Sequence, residues 1–152
     1  MRKGPVGVQR MNQRDRDLGT PELARKRAAL VGDGDPAMSS LPLGVYLERG
    51  LLHHDYDVAR RMFDAGMHYR YCYGVVFGRS SVRAITDMPN GRNENIDELL
   101  EEIEPAYWRL ARAIANPRQV FSAVWQVCIH DQFVGRWDLE QLKTGLARLG
   151  RA

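Results

Sequence analysis

Residues 116–129 read NPRQVFSAVWQVCI, a long apolar stretch in a chain of 152 residues. Its large apolar side chains recur at the spacing of one broad helix face: Val120, Phe121, Val124, Trp125, Val127 and Cys128. Asn116 suits a helix cap, and Pro117 suits the first helical position because proline has no N–H to leave unpaired. A buried strand would also accept valine and tryptophan, but the length and the Asn-Pro start favour a helix. We therefore predict that 117–129 is the central helix of the core, with Val124 and Trp125 largely buried.

A second helix is predicted to follow this central one. Asp138 and Gln141 have the spacing of a capping pair, and leucines recur at helical intervals: Leu139, Leu142, Leu146 and Leu149. With residues 131–137 as the turn, the two helices would form a helix–turn–helix-like pair. That turn is longer than the usual length of about 3–4 residues, which counts against the standard motif.

Four further helical segments precede the central stretch. Thr20 and Pro21 predict the start of the first helix, and residues 42–49 predict a second that ends at Gly50. The third should begin near His54 or Asp55, with an apolar stripe of Val58, Met62, Ala65, Tyr69, Cys72 and Val76. The fourth has Asn95 as its predicted cap and is interrupted by Pro105, where it must kink or a new helix must begin.

These patterns predict an all-α fold: a single-domain bundle of five or six helices around 117–129, with a helix–turn–helix-like C-terminal pair. We place the helical domain at 20–152. Residues 1–19 are polar, basic and without periodicity, so we predict a disordered basic arm there. Residues 78–92 also lack a period and predict a long loop.

Charge is distributed unevenly along a chain whose net charge is +3. Residues 1–30 have a net charge of +5, whereas residues 93–104 have a net charge of −6. Acidic side chains near a helix N-terminus are stabilised by the helix dipole, so the acidic stretch either supports its helix or binds a basic partner. Arginine outnumbers lysine by 19 to 3, which is typical of a GC-rich genome and makes arginine richness weak evidence for nucleic-acid binding.

No apolar run approaches the roughly 18 residues that a membrane span needs, and the N-terminal residues lack an apolar signal segment. We therefore expect a cytoplasmic protein that does not engage a membrane.

One segment of the chain resembles a known group of proteins. The residues that carry the likeness are Leu43, Gly44, Leu47, Arg49, Gly50, Leu51, Tyr56, Ala59 and Phe63. Their pattern resembles uncharacterised helical proteins of alphaproteobacterial phages and prophages, some of which resemble phage-type transcription regulators with a two-helix C-terminal tail. The resemblance implies a helical fold and a regulatory role, and it carries over no catalytic residue.

Neither a metal centre nor a catalytic site is predicted. The four side chains that could ligate zinc are His68, Cys72, Cys128 and His130. Cys72 belongs to an apolar stripe and no CxxC pair occurs, so we expect core cysteines, no metal and no cofactor. The chain also lacks a P-loop, a GxGxxG, a GxSxG and an HExxH motif. We assign no catalytic residues and expect a protein that is not an enzyme.

The most concrete site prediction concerns the last helix. With the leucines buried, its opposite face would present Gln141, Thr144 and Arg148. Glutamine can pair with adenine and arginine with guanine, so these side chains could read bases. Phosphate contacts would come from Arg136, Lys143 and Arg151. The alternative is a closing helix whose polar face is simply solvated.

Two functions follow from these patterns. The preferred one is a small DNA-associated regulatory protein of mobile-element type that contacts DNA through its C-terminal helix. The alternative is a non-enzymatic helical protein-interaction module, which associates with itself or with a partner through the acidic helix start at 94–104. The partners under consideration are therefore DNA, another protein and a second copy of the chain.

Overall fold

The computed structural model of the protein describes residues 20–78 and 93–152. Within these ranges the chain forms six α-helices and no strand, which confirms the predicted all-α bundle. The helices are α1 (Pro21–Val31), α2 (Pro42–Glu48), α3 (Tyr56–Phe77), α4 (Asn93–Ala113), α5 (Arg118–Val124) and α6 (Arg136–Arg151). A 3₁₀ helix (Pro36–Ser40) precedes α2, and a π-helical segment (Trp125–Ile129) continues α5. The predicted arm at 1–19 and most of the predicted loop, 79–92, lie outside the described residues.

The boundaries of the first three helices follow from local hydrogen bonds. Thr20 Oγ1 accepts from the backbone N–H of Leu23 at 3.2 Å, so Thr20 caps α1 as predicted. Asp55 caps α3 in the same way, by accepting from the backbone N–H of Asp57 at 2.9 Å. Gly50 follows α2 with a φ of +71°, a left-handed conformation that glycine adopts without a Cβ clash.

The predicted caps at Asn116, Asn95 and Asp138 are wrong. α5 begins at Arg118, and Pro117 stands at its N-cap with no side-chain hydrogen bond. α4 begins at Asn93, before Asn95. α6 begins at Arg136, so Asp138 lies inside its first turn, where its charge can still interact with the helix dipole. Sequence patterns identify residues that are able to cap, but the path of the neighbouring chain decides which of them does so.

Pro105 lies inside α4, which runs as one helix from Asn93 to Ala113. The alternative prediction, in which a new helix starts at Pro105, is therefore wrong. The continuous helix carries the acidic stretch and the aromatic pair Tyr107 and Trp108 on one element.

The long helix α3 shares the centre of the bundle with α5 and its π-helical extension. It contacts α2, α4, the π-helical segment and α6. Gly66 lies where these elements converge: a Cβ at this position would stand 2.7 Å from Leu43 Cδ2, 2.9 Å from Leu146 Cδ2 and 3.2 Å from Cys128 Sγ. A glycine in the middle of α3 is explained by this close approach, which a larger residue would prevent.

The stretch at 117–129 packs into the core as predicted. Its buried residues are Val120, Ala123, Val124, Val127 and Cys128. Trp125 and Phe121 are partly buried, less completely than Val124. The α-helix becomes π-helical at Trp125, and the indole lies at the rim, stacked on Phe121 at 5.5 Å and edge-on to Tyr73 at 5.1 Å.

The turn between the two C-terminal helices is held by contacts from α2 and α3. Tyr46 Oη accepts from the backbone N–H of Val134 at 2.8 Å. Arg70 donates to the backbone oxygen of Cys128 at 2.9 Å and pairs with the carboxylate of Asp131. The turn at 130–135 is therefore tied to α2 and α3 by hydrogen bonds and an ion pair, although all of it except Val134 is solvent-exposed.

Candidate functional site

The predicted DNA-contact residues lie on α6, and they differ in exposure. The exposed ones are Arg136, Thr144 and Arg151, and the partly buried ones are Gln141, Lys143 and Arg148. The face of α6 that packs into the core is formed by Leu142, Gly145, Leu146 and Leu149, so the predicted leucine stripe is confirmed apart from Leu139, which is partly buried.

Arg148 is already engaged within the domain. Its guanidinium donates through Nη1 to the backbone oxygen of Asn116, in the connection between α4 and α5. Thr144 Oγ1 donates to the backbone oxygen of Glu140, one turn earlier, at 3.0 Å. To contact a base, Arg148 would therefore have to release the backbone oxygen of Asn116. Gln141, the other side chain predicted to pair with a base, is partly buried. Base contact by these side chains stays a prediction.

A cleft of about 520 Å³ opens beside the C-terminal half of α6. Its other wall comes from the segment before α3 and from the first two turns of that helix. Its apolar lining, which we call the floor, comprises the buried residues Leu52, Met62 and Leu146 and the partly buried residues Val58 and Ala147. The volume lies within the range of roughly 300–1,000 Å³ that is typical of ligand sites. The floor can therefore receive an apolar group.

The rim of this cleft is positively charged. Arg61 from α3 and Lys143 and Arg151 from α6 line it, and no carboxylate is among the described residues that do so. Lys143 Nζ lies 3.3 Å from Glu140 Oε1, but the side chains are 33% and 73% exposed, so this pair is weak and can exchange partners. We call this site, with its apolar floor and its three cations, the basic cleft.

His53 adds a polar group to the basic cleft. Its Nδ1 accepts from the backbone N–H of Asp55 at 3.0 Å, and its ring stacks on His54 with centroids 4.3 Å apart. Because Nδ1 serves as an acceptor, the ring proton belongs on Nε2, which leaves that nitrogen as a donor for a bound group.

Sequence reasoning identified only one wall of the basic cleft. Lys143, Thr144 and Arg151 were singled out, whereas Arg61 reads as an ordinary solvated residue on the polar face of α3. The two walls are more than 80 residues apart in sequence, and helical periodicity shows which face of a helix is polar but not which faces meet.

A second charged region lies at the N-terminal half of α4. Glu98, Glu101 and Glu102 are exposed there. Two aromatic rings nearby are also exposed: Phe77 at the end of α3, at 51%, and Trp108 further along α4, at 45%. They pack edge-to-face with their centroids 6.4 Å apart. We call these five residues the acidic end.

The acidic end and the basic cleft lie toward opposite ends of α3. Tyr107 of α4 packs edge-to-face on Phe77, the last residue of α3, at 5.3 Å. The basic cleft instead uses Val58, Arg61 and Met62, in the first two turns of the same helix. Among the described residues, the exposed glutamates of α4 therefore lie toward one end of α3 and the cations of the basic cleft lie toward the other.

Trp137 is the most exposed large apolar residue in the described part of the chain, at 87%. It precedes Gln141 by four residues and so lies on the same side of α6 as the predicted base-reading row. Sequence reasoning missed it, although that spacing was a usable signal. An exposed indole at a helix start can contact a partner surface or a base.

The two cysteines behave as core residues. Burial raises the pKa of the Cys72 thiol above its usual value, and it raises the pKa of Cys128 to about 12. Cys72 Sγ lies 3.7 Å from His68 Nε2. Across 20–78 and 93–152, no group of three or more metal-ligating side chains comes together. Both thiols are protonated near neutral pH and therefore weak nucleophiles.

Comparison of the chain with family models, with curated proteins and with solved structures found no match. The resemblance to phage proteins therefore stays a prediction. None of the described helices combines the length and the hydropathy needed to cross a bilayer.

Proposed function

We propose that the chain is a non-enzymatic helical interaction module that binds a partner in the basic cleft. The observation that carries this proposal is the combination of an apolar floor with a rim of Arg61, Lys143 and Arg151 that no lining carboxylate neutralises. An apolar anchor on the floor would contribute affinity by leaving water, and carboxylates at the rim would give orientation and fast association. The partner is therefore an acidic segment with an apolar anchor.

The test is a titration with a synthetic helical peptide of Glu, Leu and Trp, followed by fluorescence anisotropy. We expect the protein to bind it, and the double variant Lys143→Glu, Arg151→Glu to bind at least about tenfold more weakly because like charges then face each other. The control is Arg25→Glu, Lys26→Glu, which makes the same charge change at exposed positions of α1. Equal affinity for both double variants, or no binding, would remove the basic cleft as the partner site.

DNA binding is the second candidate, and several exposed side chains of α6 support it. Arg136, Trp137 and Thr144 are all solvent-exposed, and Arg151 at the end of the helix could contact phosphate. The same titration with a mixed-sequence duplex at two salt concentrations separates the two functions. Tight duplex binding that weakens steeply with salt and falls in Lys143→Ala would favour the DNA-associated regulator.

A further inference from the structure

We propose that the partner in the basic cleft is a second copy of this chain, whose acidic end occupies it in a head-to-tail arrangement. This inference rests on the function proposed above and names its partner. The basic cleft requires two things of an occupant: an apolar group for the floor, whose partly exposed members are Val58 and Ala147, and negative charge for the rim.

The acidic end offers both groups on one surface. Glu101 and Trp108 are seven residues apart on α4, so they lie on the same face of that helix, and both are exposed. Tryptophan is a frequent anchor in buried pockets of interfaces. Residues 93–104 contain six acidic side chains and no basic one, so their charge is opposite in sign to that of the three cations of the rim.

Among the described residues, the acidic end of a molecule lies away from its own basic cleft. Arg61 of the basic cleft and Phe77 of the acidic end are 16 residues apart on α3, so they are separated by roughly 24 Å at 1.5 Å per residue. Phe77 is the last residue of this helix, and Arg61 lies in its second turn. At such a separation, about three Debye lengths in physiological salt, attraction between the two charged regions of one molecule is largely screened, whereas direct contact between two molecules is not.

Head-to-tail contact is heterologous, because the surfaces that meet are different. Each added molecule brings an open basic cleft and an open acidic end, so association continues until the rotation between copies closes a ring. The mean mass of the protein in solution should therefore rise with concentration and fall when salt screens the charges.

Sedimentation velocity of the full chain at low and high salt tests this inference. We expect assemblies larger than the monomer at low salt. Two charge-reversed variants test the two surfaces: Lys143→Glu, Arg151→Glu in the basic cleft, and Glu98→Lys, Glu101→Lys, Glu102→Lys on α4. Each should associate at least about tenfold more weakly than the unaltered chain. Arg25→Glu, Lys26→Glu is the matched control and should assemble like the unaltered chain.

Mixing the two charge-reversed variants is the decisive step. The cleft variant has an acidic cleft, and the α4 variant has a basic surface in place of its glutamates. In an equimolar mixture these two altered surfaces are complementary in charge, so the mixture should assemble again. Trp108→Ala keeps every charge and should weaken assembly by removal of the anchor. All substituted positions are exposed or at the rim, and circular dichroism verifies that each variant is folded.

Three results would overturn the inference. One is a chain that stays monomeric at low salt and high concentration, another is assembly that the α4 reversal leaves unchanged, and the third is a mixture that stays monomeric. In each case binding of the acidic peptide to the basic cleft can still be observed, so the partner identity would fail while the proposed function stands. If neither peptide binding nor assembly is observed, the proposed function and this inference both fail.

Discussion

Gly145 shows how one missing side chain sets the spacing of two helices. A Cβ at this position would clash with the Cγ2 atom of Val124 and would stand 3.1 Å from Val120 Cγ1. Valine is stiff about χ1, so neither side chain can rotate away cheaply. α6 can therefore lie close along α5 only because residue 145 is glycine, and that approach orients the wall of the basic cleft that α6 provides.

We expect Gly145→Ala to lower the free energy of unfolding by about 1–3 kcal/mol, because the added methyl group overpacks this contact. Gly74→Ala is the control: no atom lies within 4 Å of a Cβ there, and alanine should add up to about 1 kcal/mol through helix propensity. Urea unfolding followed by circular dichroism measures both. Similar changes in the two variants would show that α5 and α6 are less tightly packed than described.

At the scale of elements, α3 holds the turn that precedes α6. Arg70 reaches from α3 to the backbone oxygen of Cys128, at the end of the π-helical segment, and to the carboxylate of Asp131. Asp131 has a φ of +53°, an unusual conformation for a residue with a side chain. The ion pair and the hydrogen bond together stabilise this backbone and the turn that follows it.

Arg70→Ala should therefore cost about 1–2 kcal/mol of stability, an amount reduced from that of a buried charged hydrogen bond because the arginine side chain is 34% exposed. Arg60→Ala, on the same helix, removes a surface pair with Asp64 and should cost less than about 0.5 kcal/mol. Thermal unfolding in low salt measures the difference. If the two variants melt alike, the contact of Arg70 with the turn does not stabilise the fold.

At the scale of the whole molecule, buried ionisable groups make stability depend on alkaline pH. Burial raises the pKa of Cys128 from 9.0 in the unfolded chain to about 12, with Arg70 as the opposing influence. Below pH 9 both states hold the proton, so the contribution to stability is fully present. Between pH 9 and 12 only the unfolded state releases it, so stability falls as pH rises.

The urea midpoint of the unaltered chain should therefore fall more steeply above pH 9 than that of Cys128→Ala, whose remaining alkaline loss comes from groups such as Cys72 and Tyr69. Below pH 9 the two midpoints should differ by a constant amount. Midpoints that run parallel from pH 7 to 12 would mean that the Cys128 thiol ionises as easily in the folded chain as in the unfolded one.

The sequence by itself determined the fold class and several helix ends. Thr20, Gly50 and Asp55 act as predicted because a cap or a left-handed residue works through hydrogen bonds within one turn of chain. The buried leucines of α6 were predictable for the same reason, since helical periodicity is a local property.

The tertiary structure alone decided which faces meet. It places Arg61 beside Lys143 and Arg151, ties Arg148 to the backbone of Asn116 and leaves Trp125 at the rim of the core. Packing at Gly66 and Gly145 fixes these neighbours through contacts between residues far apart in sequence. No local pattern encodes such contacts, because they depend on how several helices fill the same space together.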